Sequence, residues 1–168
     1  MSQLLLDRFK DYVNIHYSDN NITITDICYD LHCSRSYLHE ILIHQYGYSI
    51  MRYVEYFRTL KSIELVCKGE RKVYLKVGYN SSSVFSKSFS RVTGFNAKCF
   101  FPYQFADNKN IIRTAINIAT ENPKKAIETI IKDVSMKTVL SGQKDKTNSQ
   151  NKTTTKRQKN KTKRQHKF

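Results

Sequence analysis

The sequence predicts an all-α fold: two tandem helix-turn-helix subdomains joined by a long linker helix, then a C-terminal helical extension and a disordered basic tail. Three observations predict it. Apolar residues recur at three- and four-residue spacing through most of the first 95 positions. A shift of 47 residues lays one helical segment on another. From Ser141 onward the chain is Lys, Arg, Thr, Gln and Asn with almost nothing apolar, which cannot bury a core.

The elements follow in order. From about residue 3 to 17, Leu5, Leu6, Phe9, Val13 and, less regularly, Tyr17 fall on one side of a helix, and "DNN" at 19–21 breaks it. Thr23 with Asp26 reads as a capping box opening a short helix, with Ile24, Ile27, Cys28 and Leu31 inward. After the turn "HC", Ser34 is a good N-cap, and Leu38, Ile41 and Leu42 face inward. "YGYS" ends that helix. Ser49 caps a longer one in which Ile50, Tyr53, Val54, Phe57, Leu60 and Ile63 keep helical spacing to about Cys67. "KGE" is a break, a short helix runs from about Arg71 to Val77, and the turn "GYN" follows. The last helix holds six serines within "VGYNSSSVFSKSFSRVTGF" (77–95) yet keeps Phe85, Phe89 and Val92 on one stripe.

The 47-residue shift places Ser34 on Ser81, Ser36 on Ser83, Leu38 on Phe85, Leu42 on Phe89, Gly47 on Gly94, Tyr48 on Phe95 and Tyr53 on Phe100. Upstream, Leu31 aligns with Val77 only if the second turn is one residue longer. The repeated unit is a short helix, a tight turn, a second helix and a Gly-aromatic exit, which is a helix-turn-helix. The units span about 23–46 and about 70–93, with the linker helix at about 49–67, all within a domain of residues 1–103. A helix laid in the DNA major groove needs an apolar back and a front of short polar or basic side chains. The serine-rich helix has both.

Charge points the same way. The formal net charge is +15, an excess that signals a polyanionic partner. Residues 141–168 carry ten Lys/Arg and one Asp, or +9, leaving +6 on the first 140. The stretch "MSQLLLDRFK" has only three leucines before Asp7 and Arg8, too few for a secretory signal. No apolar run approaches the ~20 residues of a membrane span. The expectation is a cytoplasmic, nucleoid-associated protein with no membrane partner.

Cys28, Cys33, Cys67 and Cys99 show no CxxC spacing, so reduced thiols without a redox pair are expected. Cys28, Cys33, His39 and His44 form C-x4-C-x5-H-x4-H, but a zinc finger wants about twelve residues between the pairs. No phosphate-binding glycine loop, nucleophile elbow or carboxylate cluster is present. Neither a metal, a cofactor nor an enzyme activity is expected.

"ITITDICYDLHCSRSYLHEIL" (22–42) and "VGYNSSSVFSKSFSRVTGFNAKCF" (77–100) resemble the AraC/XylS family of bacterial transcription regulators. The likeness is carried by "SRSYL" (34–38), Gly47, Arg58, Val77, Gly78, Tyr79, Phe85, Phe89, Thr93, Gly94 and Phe95, and covers about residues 5–103. The sequence departs from the family at Tyr74, where a small residue is usual, and at Ala97, where proline is usual. The resemblance implies a seven-helix, two-lobed, homeodomain-like fold of AraC type. It implies two recognition helices in successive major grooves of double-stranded DNA, and a role in transcription, expected to be activation. Family activators also touch RNA polymerase, though no residue here identifies that surface. The chain resembles the short stand-alone members, with no ligand-sensing domain. A linker of roughly 18 residues is ~27 Å long, the scale needed to hold two readers one DNA turn, ~34 Å, apart. Because both readers lie in one chain, DNA binding as a monomer is expected.

On the first recognition helix Arg35, Ser36, His39, Glu40 and Ile43 face outward. By match to the family motif, Ser36, His39 and Glu40 occupy base-facing positions, and Arg35 reaches a guanine or a phosphate. Glu40 stands where arginine is common. It either accepts a hydrogen bond from cytosine N4 or is held off the DNA by Arg35 or His44. On the second helix Ser82, Ser83, Ser86 and Lys87 face outward, with Ser90 and Arg91 toward the flank. Serine bonds several bases alike, so the first unit is expected to carry most base specificity and the second to anchor phosphates. The helix N-termini at Ser34, Ser49 and Ser81 also favour phosphate, and Arg52, Arg58 and Lys61 on the linker are weaker candidates or merely a solvated face. Residues 104–140 form a helical extension of unassigned role: "NIIRTAINIA" and "PKKAIETIIKDV" both read as helical, and Ile127, Ile130, Ile131 and Val134 make an apolar edge. The alternative function is a sequence-tolerant nucleoid-associated or RNA-binding protein driven by the tail.

Overall fold

The computed structural model describes residues 2–97 and 122–135. Cys99, Phe100, the "NIIRTAINIA" segment and the basic tail lie outside the described residues. Within residues 2–97, six helices run in order: α1 (Ser2–His16), α2 (Ile24–Asp30), α3 (Arg35–Tyr46), α4 (Ile50–Cys67), α5 (Val73–Lys76) and α6 (Ser82–Thr93). No strand occurs among the described residues.

Local chemistry sets the helix boundaries. At α2, the Thr23 hydroxyl oxygen accepts from the Asp26 amide at 3.2 Å, and the Asp26 carboxylate accepts from the Thr23 amide at 3.1 Å. This is the reciprocal box the sequence predicted. Ser34 and Ser81 cap α3 and α6 identically, each accepting an amide at 3.2 Å, from Tyr37 and from Val84. Both helices are 12 residues long and both stop at a glycine in the left-handed region, Gly47 at φ 75° and Gly94 at φ 78°. That conformation costs glycine nothing sterically.

The two turns also share one construction. In the first, the His32 amide bonds Tyr29 O and the Cys33 amide bonds Cys28 O, both at 3.1 Å. In the second, the Gly78 amide bonds Leu75 O at 3.3 Å and the Tyr79 amide bonds Tyr74 O at 2.9 Å. These are Schellman closures around a left-handed residue, His32 at φ 52° and Gly78 at φ 78°. The closures are 46 residues apart while the helices after them are 47 apart. The second turn is therefore one residue longer, as the alignment of Leu31 with Val77 required. Helix α5 is shorter than the expected 71–77, because Lys72 takes a left-handed conformation at φ 50° and holds the preceding residues out of the helix.

Helix α4 joins the lobes. The first lobe buries Phe9, Val13, Ile27, Leu38 and Leu42 against Ile50, Tyr53, Val54 and Phe57 of α4. Each such side chain stabilises by about 1.5–3 kcal/mol. Beyond these residues α4 turns Leu60 and Ile63 into the interior, where Val73, Val77, Phe85, Phe89 and Ala97 are also buried. Both α3 and α6 pack on α4.

The chain divides into two compact units, Met1–Ile130 and Ile131–Phe168. Within the first, residues 123–130 are helical (α7). Asn122 caps this helix through a 3.2 Å bond from the Lys125 amide, and its side chain accepts the Tyr48 hydroxyl at 3.0 Å. Ala126, Ile127 and Ile130 are buried. In the second unit, residues 131–135 are helical.

Candidate nucleic-acid interface

The apolar stripes of α3 and α6 are turned inward, and this decides what remains outside. Leu38 and Leu42 on α3 are fully buried, and Ile41 is half-buried. Arg35, Ser36, His39 and Glu40 are consequently exposed, as are Tyr37 and Ile43. On α6, Phe85 and Phe89 are buried, and Ser82, Ser83, Lys87 and Arg91 are exposed, while Ser86 is half-buried. Val84, the counterpart of Tyr37 at the 47-residue shift, is exposed as well. These two apolar residues were not among the expected contacts.

Glu40 has no ion-pair partner among the described residues: neither Arg35 nor His44 holds it. The expected alternative, a carboxylate neutralised by a neighbour, is not what the structure contains. A bare carboxylate is repelled by phosphate unless it finds a donor such as cytosine N4.

Arg91 is different. Its guanidinium donates to the Glu55 carboxylate of α4, from Nε at 3.0 Å and from Nη2. The same carboxylate accepts the Ser88 hydroxyl at 2.6 Å and Arg52 at 2.6 Å. Ser88 is buried and also meets the Tyr79 hydroxyl at 2.8 Å. Burial pushes the Glu55 carboxyl up, but Ser88, Arg91 and Arg52 outweigh it and hold the group below the usual carboxylate range. A cleft of about 590 Å³ lies between α4 and α6, lined among others by Arg52, Glu55, Arg58, Lys87, Ser88 and Arg91. Sequence reasoning missed Glu55 and Ser88. Ser88 sits three after Phe85, next to Phe89 on the inner side, and that spacing was the available signal.

Each of the linker cations has a partner within the fold. Arg58 is buried; its Nε donates to Tyr17 O at 2.8 Å and its Nη2 to Asp19 O at 2.6 Å. Its guanidinium lies over the Tyr79 ring at 5.3 Å. It thus binds the end of α1 to the turn of the second unit, where Asn20 also hydrogen-bonds Asn80. Arg52 pairs with Glu55, and Lys61 pairs with Glu64 at 3.1 Å. Of the three N-termini at Ser34, Ser49 and Ser81, that of α4 differs: the Ser49 side chain makes no capping bond to its first amides.

Among the described residues no three His, Cys, Asp or Glu side chains cluster as a metal ion would need. No described helix is long and apolar enough to cross a membrane.

Twin helix-turn-helix units, each with an inward apolar stripe and an outward polar front, have the shape and chemistry that suit the DNA major groove. Residues 15–55 match the family model of bacterial regulatory helix-turn-helix proteins, AraC family. Among solved structures, the chain is similar to the C-terminal domain of AraT, a response regulator from Geobacillus stearothermophilus, with a TM-score of 0.55 and 23% identity. That likeness covers 58% of this chain and 84% of the other. No curated protein matches. Residues 15–55 are thus similar to the helix-turn-helix of AraC-family regulators, and the solved structure shares the all-α fold.

Proposed function

We propose that this chain is a sequence-specific transcription regulator, an activator, whose α3 and α6 enter two successive major grooves on one face of double-stranded DNA. Residues 1–103 are its DNA-binding domain, and the role is binding rather than catalysis, in the cytoplasm at the nucleoid. One observation carries the reading: two helices of equal length and identical caps, 47 residues apart, pack on one rigid linker and leave polar fronts exposed. Arg35, Ser36, His39 and Glu40 read bases from α3. Ser82, Ser83, Ser86 and Lys87 contact DNA from α6, mainly at phosphates, and Arg91 does so only by sharing or leaving Glu55. Both readers being in one chain, a monomer suffices. An activator also contacts RNA polymerase, through a surface no residue here identifies.

The test is selection of preferred duplexes from a random pool. Two short motifs one helical turn apart are expected, with the favoured site held ~10³-fold or more over random DNA. Arg35→Ala is expected to relax the base preference, whereas changing Ser82, Ser83 and Ser86 together to alanine weakens all sites alike. The +9 charge of residues 141–168 favours a second reading, a sequence-tolerant nucleoid or RNA binder. A pool that yields no enriched sequence decides for it.

A further inference from the structure

The turn between α2 and α3 brings together two cysteines that the sequence spacing left apart. In a Schellman closure the third residue from the helix end and the second residue past the cap meet side chain to side chain, ordinarily as an apolar contact. Here those positions are Cys28 and Cys33, joined by the 3.1 Å backbone bond from the Cys33 amide to Cys28 O. The same two positions in the second unit hold Tyr74 and Tyr79, so the fold asks only for contact there and not for thiols. Both cysteines are free and half-buried. Both line an open cleft of about 320 Å³ together with Ile24, Tyr29 and Arg35. Burial, and then the neighbouring Cys28 sulfur, raise the Cys33 thiol.

We infer that Cys28 and Cys33 are a redox-active dithiol, closed to a disulfide by a low-molecular-weight disulfide and reopened by the matching thiol. Closure proceeds by exchange. One cysteine thiolate attacks a sulfur of the external disulfide, forming a mixed disulfide and releasing one thiolate. The second cysteine thiolate then attacks the protein sulfur of that mixed disulfide and releases the other. The protein loses two electrons and two protons, and the external disulfide gains them as two thiols. Only thiolates attack, so the raised Cys33 thiol slows whichever step it carries out.

Closure has a consequence at the DNA face. Two sulfurs in non-bonded contact must approach to about 2.05 Å. Cys33 directly precedes the Ser34 cap, and Arg35 is the first residue of α3. Drawing Cys33 toward α2 therefore shifts the start of the reading helix. This part of the inference rests on the proposed role of Arg35; the disulfide itself does not.

The experiment uses the full chain, incubated with oxidised glutathione, alkylated, and cut after Lys and Arg. Cys28 and Cys33 fall together on the fragment 11–35, with Cys67 and Cys99 on separate fragments. The expected result is fragment 11–35 lighter by two hydrogens and unalkylated, restored by reduced glutathione, with Cys67 remaining a single thiol or a single mixed adduct. In the Cys28→Ser and Cys33→Ser chains, fragment 11–35 should stop at one glutathione adduct. Two separate adducts on 11–35, or two alkylated thiols after full oxidation elsewhere, would overturn the inference. The second readout is affinity for the duplex enriched in the pool selection. Oxidation is expected to lower it roughly tenfold, the scale of one displaced base contact, and to leave the doubly substituted Cys28→Ser, Cys33→Ser chain unaffected. A mapped disulfide with unchanged affinity would refute the link to DNA. A reduced chain that enriches no duplex would refute the proposed function while the peptide map still decides the disulfide.

Discussion

Replacing Gly78 by alanine is expected to be among the most damaging single changes in this chain, and the structure supplies its own control. Gly78 sits at φ 78°, and a Cβ there would meet Tyr17 O at 2.7 Å and Arg58 Nη2 at 2.8 Å. Gly47 has nearly the same φ, 75°, but a Cβ there would meet nothing within 4 Å. The left-handed conformation costs a residue with a Cβ about 1–2 kcal/mol. Gly47→Ala should lose that and little else. Gly78→Ala adds the cost of overpacking, about 1–3 kcal/mol. One obstacle is backbone, and the other is a guanidinium fixed by two charge-assisted bonds at 2.8 and 2.6 Å. Neither can retreat without breaking contacts worth about 1.5–3 kcal/mol each. The expected loss is about 3–5 kcal/mol, a large share of the ~5–15 kcal/mol that stabilises a domain. Urea unfolding of the two variants side by side measures it, read as a shift of midpoint at constant slope. Equal losses at Gly78 and Gly47 would show that the crowding around Gly78 contributes nothing.

Glu55 makes stability pH-dependent. Its folded pKa is depressed, so its contribution is fully present above the unfolded value, about 4.3, and is lost as pH falls through the folded value. Acid titration of unfolding free energy should show the wild-type chain converging on Glu55→Gln as pH drops; a constant gap would refute this. Arg58→Lys keeps the charge but not the two-pronged donor geometry. It should cost about 1.5–3 kcal/mol by thermal or urea unfolding, one carbonyl being left without its donor. Removing residues 141–168 should flatten the salt dependence of DNA binding by about 0.9 in log K per log salt for each phosphate the tail neutralises. The selected sequence should not change.

What the sequence made legible was local. Thr23, Ser34, Ser81, Gly47 and Gly94 each act on backbone within four residues, so their roles follow from identity and spacing alone. The 47-residue phase of α3 and α6, and the longer second turn, also came from pattern. What stayed hidden were the contacts between distant segments. Arg58 bonds carbonyls 41 and 39 positions away, and Glu55 reaches Ser88 and Arg91, 33 and 36 positions on. A positive charge on a helix reads as solvated or phosphate-seeking until its partner is known. Cys28 and Cys33 lack CxxC spacing, yet a helix-ending closure joins residues five apart and brings them together.

Those hidden contacts explain why α4 is more than a spacer. Glu55 and Arg58 are three apart, on neighbouring positions of one helical face, and opposite in charge, yet each spends its hydrogen bonds elsewhere. Arg58 fixes the second unit's turn, through Tyr79, to the end of α1 in the first lobe. Glu55 fixes α6 itself, through Ser88 and Arg91, to the linker. Apolar packing alone would let α6 roll on α4, because dispersion contacts are individually weak and non-directional. Charge-assisted bonds are directional, so a single turn of the linker sets both the separation of the lobes and the rotation of the second reader. Under the proposed function, groove spacing would demand both quantities at once: separation would decide whether the second helix reaches the next groove, and rotation which side chains face the DNA there. The long-range polar contacts therefore sit where a two-groove reader has the least tolerance, and the stretch 52–58 is expected to tolerate substitution less than its partly exposed position suggests.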